Sequence, residues 1–247
     1  MAIHVAILSW RSAPRRHIPV AIAGSTRHDG DMRIVAFYNN KGGIGKTTMA
    51  VHLALYAADR RIKTLLVGLD RQGDACRFLS GGECRLENGL TFRVGEYLWV
   101  TYSPMELPRI FKDFDLVIAD CPPAIEVVDA VQADLWVVLL DGRFALENLA
   151  NIHNDISAGD GKVMVVLNRC DMIGKRAFEA LRKAAHKIPR ATVRATPIPA
   201  TGPIARTSEF FRPVWEVPNG EGTIGDRAIQ SLCQDVLVSS GLGGRIG

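Results

Sequence analysis

The chain has 247 residues, of which 47% are hydrophobic and 23% charged, ordinary usage for a globular protein of one large domain or two small ones. That composition excludes disorder, collagen and coiled coil for the bulk of the chain, and no apolar run approaches the ~18 residues that cross a membrane as a helix. Thirty Lys and Arg against 26 Asp and Glu leave a net charge of +4, compatible with a nucleic-acid partner without requiring one.

Residues 1–31 differ from the rest of the chain: they are rich in Arg and His and end in the polar stretch Gly24 to Asp31. They are expected to be an N-terminal extension ahead of a domain over 32–247. They do not read as a secretory signal, because Arg11, Arg15 and Arg16 follow the apolar stretch instead of preceding it. The five cysteines (Cys76, Cys84, Cys121, Cys170, Cys233) include no CxxC pair. Reduced thiols in a cytoplasmic protein are expected, and zinc or iron–sulfur ligation is set aside.

From Met32 onward short apolar runs alternate with helical patterns. In chain order the reading is strand 33–38, helix 46–59, strand 64–69, strand 115–119, helix 124–132, strand 135–140, helix 144–157, strand 163–167, helix 174–187, strand 193–198 and helix 224–239. The strands are continuously apolar, as in sheets covered on both faces. The predicted class is α/β: a mainly parallel twisted sheet covered by helices on both faces. In such sheets ligands bind at the carboxyl ends of the strands, so chemistry is sought there.

The first strand end is the most informative. It runs into Asn39-Asn40-Lys41-Gly42-Gly43-Ile44-Gly45-Lys46-Thr47-Thr48, a departure from GxxxxGK[ST] in which Asn40 replaces the first glycine and a lysine follows it. Gly42, Gly43 and Gly45 allow a sharp turn and close backbone approach to phosphate oxygens. Their N–H groups and the start of helix 46–59 form an anion nest. Lys46 is placed to reach β- and γ-phosphates, and the Thr47 hydroxyl to ligate Mg²⁺. A second strand, Asp115 to Asp120, ends in a carboxylate positioned to hold Mg²⁺ through water. Pro122 and Pro123 stiffen the turn beyond it.

The segment Lys41 to Thr48 resembles the deviant phosphate loop of the ParA/MinD superfamily of P-loop ATPases, most like compact ParA-type partition ATPases, a SIMIBI-type P-loop NTPase fold. The resemblance covers about Met32 to Val214. It implies that Lys41 reaches across an ATP-sandwich dimer to the partner's nucleotide, and that Ile44 and Thr48 belong to the nucleotide-binding loop, Thr48 at the α-phosphate. Gly68-Leu69-Asp70-Arg71-Gln72-Gly73-Asp74-Ala75 is similar to the family's DxDPQGNA, which implies that Asp70 is the catalytic carboxylate. Gly68, Arg71 and Asp74 stand where that pattern has Asp, Pro and Asn. Asn168 admits two readings: by resemblance it touches adenine, yet Asn168-Arg169-Cys170-Asp171 also fits the N-[KR]-x-D pattern of GTPases. The Lys-Gly-Gly signature favours ATP. Ile198-Pro199 and the later Arg206 to Val214 resemble the family's base-pocket wall, placing Pro199 beside the base.

Lys175 to Arg194 is strongly basic. Arg176, Lys183 and Lys187 recur at spacings of seven and four, so they share a helix face. They are either a solvated face or a sequence-independent contact to DNA phosphates. The glycine-rich tail after Ser239 carries little positive charge, unlike a membrane-docking helix, so a final packing helix without a stable membrane anchor is expected. No helix-turn-helix domain is expected in the 31 residues before the domain. The expectation is an ATP- and Mg²⁺-dependent ATPase, with Lys41, Lys46, Asp70 and Asp120 as its catalytic set. It would dimerise on ATP, bind DNA non-specifically, answer to a ParB-like stimulating partner and drive plasmid or chromosome partition. Positioning of a non-DNA cargo, or a P-loop ligase of the same class, are the alternatives.

Overall fold

The computed structural model describes residues 32–83, 87–108, 113–124, 126–141, 145–156, 161–170 and 173–245. The extension 1–31, Cys84 and Asp171 lie outside them. The strands are β1 (Arg33–Tyr38), β2 (Thr64–Gly68), β3 (Thr91–Arg93), β4 (Leu98–Tyr102), β5 (Leu116–Asp120), β6 (Leu135–Asp141), β7 (Lys162–Asn168) and β8 (Ala191–Val193). The helices are α1 (Lys46–Asp59), α2 (Asp74–Leu79), α3 (Glu126–Ala130), α4 (Ala145–Ile156), α5 (Lys175–Ala185), α6 (Gly202–Phe210) and α7 (Ile224–Ser239). The strands form one sheet in the order β3-β4-β2-β5-β1-β6-β7-β8. The pairs are parallel except for β3, which runs antiparallel to β4 at the edge.

Alternation along the strands builds two cores. On one face Val35, Phe37, Leu66, Leu116 and Ile118 pack with Met49 and Leu53 of α1, Phe78 of α2, and Ile229 and Leu232 of α7. On the other, Ile34, Ala36, Val117 and Ala119 pack with Val127 of α3, Leu149 of α4 and Leu181 of α5. Every residue of β2 and β5 is buried, which accounts for their continuously apolar sequence. A fully buried Leu such as Leu53 contributes about 2–5 kcal/mol by the cost of truncating it to Ala.

The predicted α1 and α7 have the observed limits. The hairpin β3–β4 and the short helices α2 and α6 have no counterpart among the predicted elements. β8 is a correction: it occupies 191–193, not 193–198. The chain leaves the sheet after Arg194, whose N–H still donates to the Val165 carbonyl at 2.9 Å and whose guanidinium, on a residue 8% exposed, donates to Asp235 at 2.7 Å and Ser231 at 2.8 Å on α7. It returns only for a single bridge between Ile198 and Asn168. The cysteines Cys76, Cys121, Cys170 and Cys233 are free of disulfides and buried. No helix among the described residues is long and apolar enough to cross a membrane.

Candidate nucleotide site

The turn between β1 and α1 lies at the carboxyl end of the central strands. Asn39 anchors its entry: fully buried, it donates to the Leu139 carbonyl at 2.6 Å and accepts from the Lys41 N–H at 2.7 Å. Gly43 and Gly45 have φ of 68° and 93°, a region costly to any residue with a Cβ. Asn40, where the usual loop has glycine, is exposed, so its side chain is accommodated in solvent.

β7 holds the loop from the side. The Asn168 amide donates to the Ile44 carbonyl at 2.7 Å, and Arg169 Nη2 donates to the Gly43 carbonyl at 2.6 Å. A Cβ at Gly45 would stand 2.8 Å from Asn168 Nδ2, so glycine is required there for space as well as for conformation. Pro199 is buried one residue past the bridge that joins Ile198 to Asn168. The two elements expected beside the base are therefore adjacent. Asp171, on which the GTPase reading depends, lies outside the described residues.

Lys46 is 6% exposed and its ammonium donates to the Lys41 carbonyl at 3.0 Å. Burial lowers its pKa, opposed by the carboxylates of Asp120 and Asp70. Asp120 ends β5 in register with Phe37 of β1 and Gly68 of β2, which places it centrally below the loop. It is 1% exposed, and neither carboxylate oxygen has a hydrogen-bond partner. Burial pushes its pKa up to about 7. The approach of the Thr47 hydroxyl and the Lys46 charge pull the other way, while Asp70 and Asp74 add to the rise. A buried anion left in this condition asks for a cation. Among the described residues no group of three or more His, Cys, Asp or Glu gathers as a metal cage. The pair Thr47 and Asp120 instead suits Mg²⁺, which takes one or two protein oxygens and completes its shell with water and phosphate.

Asp70 is half-buried at the head of the turn after β2. Its Oδ1 accepts from the Gln72 N–H at 3.0 Å. Asp70 and Asp120 both lie close enough to act on Lys46 electrostatically. Lys41, Gly42 and Gly43 are exposed, Ile44 is buried in the core, and Thr47 and Thr48 are half-buried at the start of α1. The basic residues fall elsewhere: Arg176 and Lys183 are exposed on α5, and Lys187 is exposed just past its end.

Sequence reasoning missed His52. Fully buried on α1, it approaches the Thr48 carbonyl with Nδ1 at 2.6 Å, and its Nε2 accepts the Val214 N–H at 2.9 Å. The acceptor role of Nε2 puts the ring proton on Nδ1. His52 thereby ties the loop's helix to the segment that ends the family-like stretch. Its signal was a polar residue on an otherwise apolar helix.

A family model described as an AAA domain matches residues 32–91. The chain is 31% identical over 152 residues to the chromosome-partitioning ATPase Soj of Thermus thermophilus, covering 49% of this chain and 60% of that protein. It is 37% identical over 148 residues to the maintenance of carboxysome distribution protein A of Gloeobacter kilaueensis, covering 56% and 64%. Both matches span less than two thirds of the relative's length. Among solved structures, Cyanothece McdA in its ATP complex superposes with a TM-score of 0.64 at 16% identity, covering 84% of this chain and 97% of that one. MinD of Pyrococcus horikoshii with Mg-ADP gives 0.63 at 17%, covering 83% and 96%. At that identity the likeness is one of fold.

Proposed function

We propose that the chain is a P-loop ATPase of the ParA/MinD superfamily, a reading supported by the AAA-domain match and the two relatives, and that it binds and hydrolyses Mg²⁺–ATP to position a cargo. The observation that carries the reading is the buried Asp120 carboxylate, unpartnered beside Thr47 and Lys46. Thr47 and Asp120 would hold Mg²⁺, which when bound would supply charge neutralisation on the phosphates. The loop N–H groups of 42–48 receive the phosphate oxygens, and Lys46 exchanges the Lys41 carbonyl for them. Asp70 orients the attacking water. Asn168 and Pro199 flank the adenine, and Thr48 meets the α-phosphate.

Exposed Lys41 lies at the loop mouth, where a second copy bound face to face would receive it across the nucleotide. The cargo reading is partition with non-specific DNA as track. It is supported by the partitioning relative and by basic residues that continue from Lys183 and Lys187 toward a cavity of about 440 Å³ at the amino ends of the strands, lined by Arg33, Lys162 and Arg190 together with Asp134. The carboxysome-distribution relative supports a second reading, positioning of a protein cargo by the same cycle.

The test is ATP turnover and DNA retardation by the purified full chain. Mg²⁺-dependent hydrolysis that Lys46→Ala abolishes is expected, together with ATP-dependent retardation that fades as salt rises. Absence of nucleotide uptake with Mg²⁺ would defeat the ATPase reading. Hydrolysis without retardation at low salt would leave the protein-cargo reading.

A further inference from the structure

We propose that Tyr102 is a positioning residue for hydrolysis, its hydroxyl holding the turn that carries Asp70. The proposal rests on the reading of Asp70 as the catalytic carboxylate. Asp70-Arg71-Gln72-Gly73 is a β-turn closed by the Gly73 N–H to the Asp70 carbonyl at 3.0 Å, with Gly73 at φ 65°. Arg71 is its second residue, the place where a proline ring presets φ and where the pattern resembled by this segment has proline. Arg71 lacks that restraint and is exposed.

The restraint comes from the neighbouring strand. Tyr102 ends β4 in register with Gly68, the last residue of β2, and its hydroxyl donates to the Arg71 carbonyl at 3.0 Å. Tyr102 is 8% exposed. Its own backbone is fixed by bonds from its N–H to Leu90 and from Gly89 N–H to its carbonyl, at 3.0 and 2.8 Å. The tether therefore runs from a rigid strand to the middle of the turn.

Gly68 completes the arrangement. A Cβ there would lie 3.5 Å from Cys76 Sγ and 3.8 Å from Ala75 Cβ. These are ordinary contact distances, so Gly68 sits close against the start of α2, which comes directly after the Asp70 turn. The missing Pro at 71 is replaced by a hydrogen bond from the side.

The experiment is steady-state hydrolysis of Mg²⁺–ATP by the full chain carrying Tyr102→Phe, which keeps the ring in the core. Because Arg71 is exposed, water can take its carbonyl. The unfolding midpoint and the affinity for a non-hydrolysable ATP analogue should therefore stay within twofold of wild type, while kcat falls about three- to tenfold. Arg71→Pro in the same chain should restore kcat, because the Arg71 N–H makes no backbone hydrogen bond that proline would remove. Wild-type kcat in Tyr102→Phe, or analogue affinity falling in step with kcat, or no rescue by Arg71→Pro overturns the proposal. Asp70→Ala separates it from the premise. If Asp70→Ala hydrolyses normally, the catalytic assignment fails. If it is inactive while Tyr102→Phe is normal, only the positioning role fails.

Discussion

Asn168 at the end of β7 donates its side-chain amide to the Ile44 carbonyl at 2.7 Å, across 124 residues of chain. The phosphate loop is thus held by a strand two places away in the sheet, and its shape depends on that strand's register as much as on its own glycines. Asn168→Ala leaves the carbonyl unpaired, a cost of about 1–3 kcal/mol. Asn168→Asp puts a second acceptor where the donor was and should cost more. Urea unfolding and ATP-analogue titration should rank both variants below wild type, Asp lowest. Equal analogue affinity in all three proteins would contradict the clamp.

The parts of this site legible in the sequence are those whose chemistry is local. The turn from β1 into α1 announces itself because its glycines, Lys46 and Thr47 sit within one segment, and the start of α1 is legible because it depends on the same residues. Asp120 is legible because it ends an apolar run. Contacts between strands distant in sequence are not: nothing local marks Tyr102 as the partner of Arg71, or Arg169 as the partner of Gly43. β4 escapes sequence reading because its apolar residues come after a three-residue antiparallel strand and a tight turn, too short to show a period.

Two lysines of the loop should behave differently. Lys46 is buried and bonded within the loop, whereas Lys41 is exposed. Lys46→Ala should lower nucleotide affinity at least about tenfold, the loss of a charged contact to phosphate. Lys41→Ala should leave monomer affinity unchanged and abolish the dimer seen in sedimentation with a non-hydrolysable ATP analogue. Undiminished dimerisation of Lys41→Ala would refute the bridging role.

His52 makes stability depend on pH. Burial lowers its pKa from 6.5 to about 4, against the pull of the Thr48 carbonyl and Asp226. The unfolded chain therefore takes up a proton at a pH where the native protein does not. The stability contributed by keeping His52 neutral is fully present above pH 6.5 and lost as pH falls to about 4, amounting to something on the order of 3 kcal/mol. His52→Gln cannot titrate, so its urea midpoint should lack this part of the acid decline, although it starts lower at pH 7 for want of the Val214 bond. An acid limb as steep as that of wild type would place the proton uptake elsewhere.

Asp120 titrates in the opposite sense. Its pKa is raised from 3.8 to about 7, so between those values the native protein holds a proton that the unfolded chain has lost. Without nucleotide, its contribution to stability is favourable at low pH and declines as pH rises through that window. Asp120→Asn keeps the shape and removes the charge. The variant should be at least as stable as wild type at pH 8, by about 1–3 kcal/mol, with the decline between pH 4 and 7 removed. The same variant should lose the Mg²⁺-dependent part of ATP-analogue binding, because an amide offers the cation one neutral oxygen in place of a carboxylate. Stability gained and metal response lost together are what a buried carboxylate kept for a cation requires. A destabilised Asp120→Asn that still answers to Mg²⁺ would mark Asp120 as a structural residue of β5.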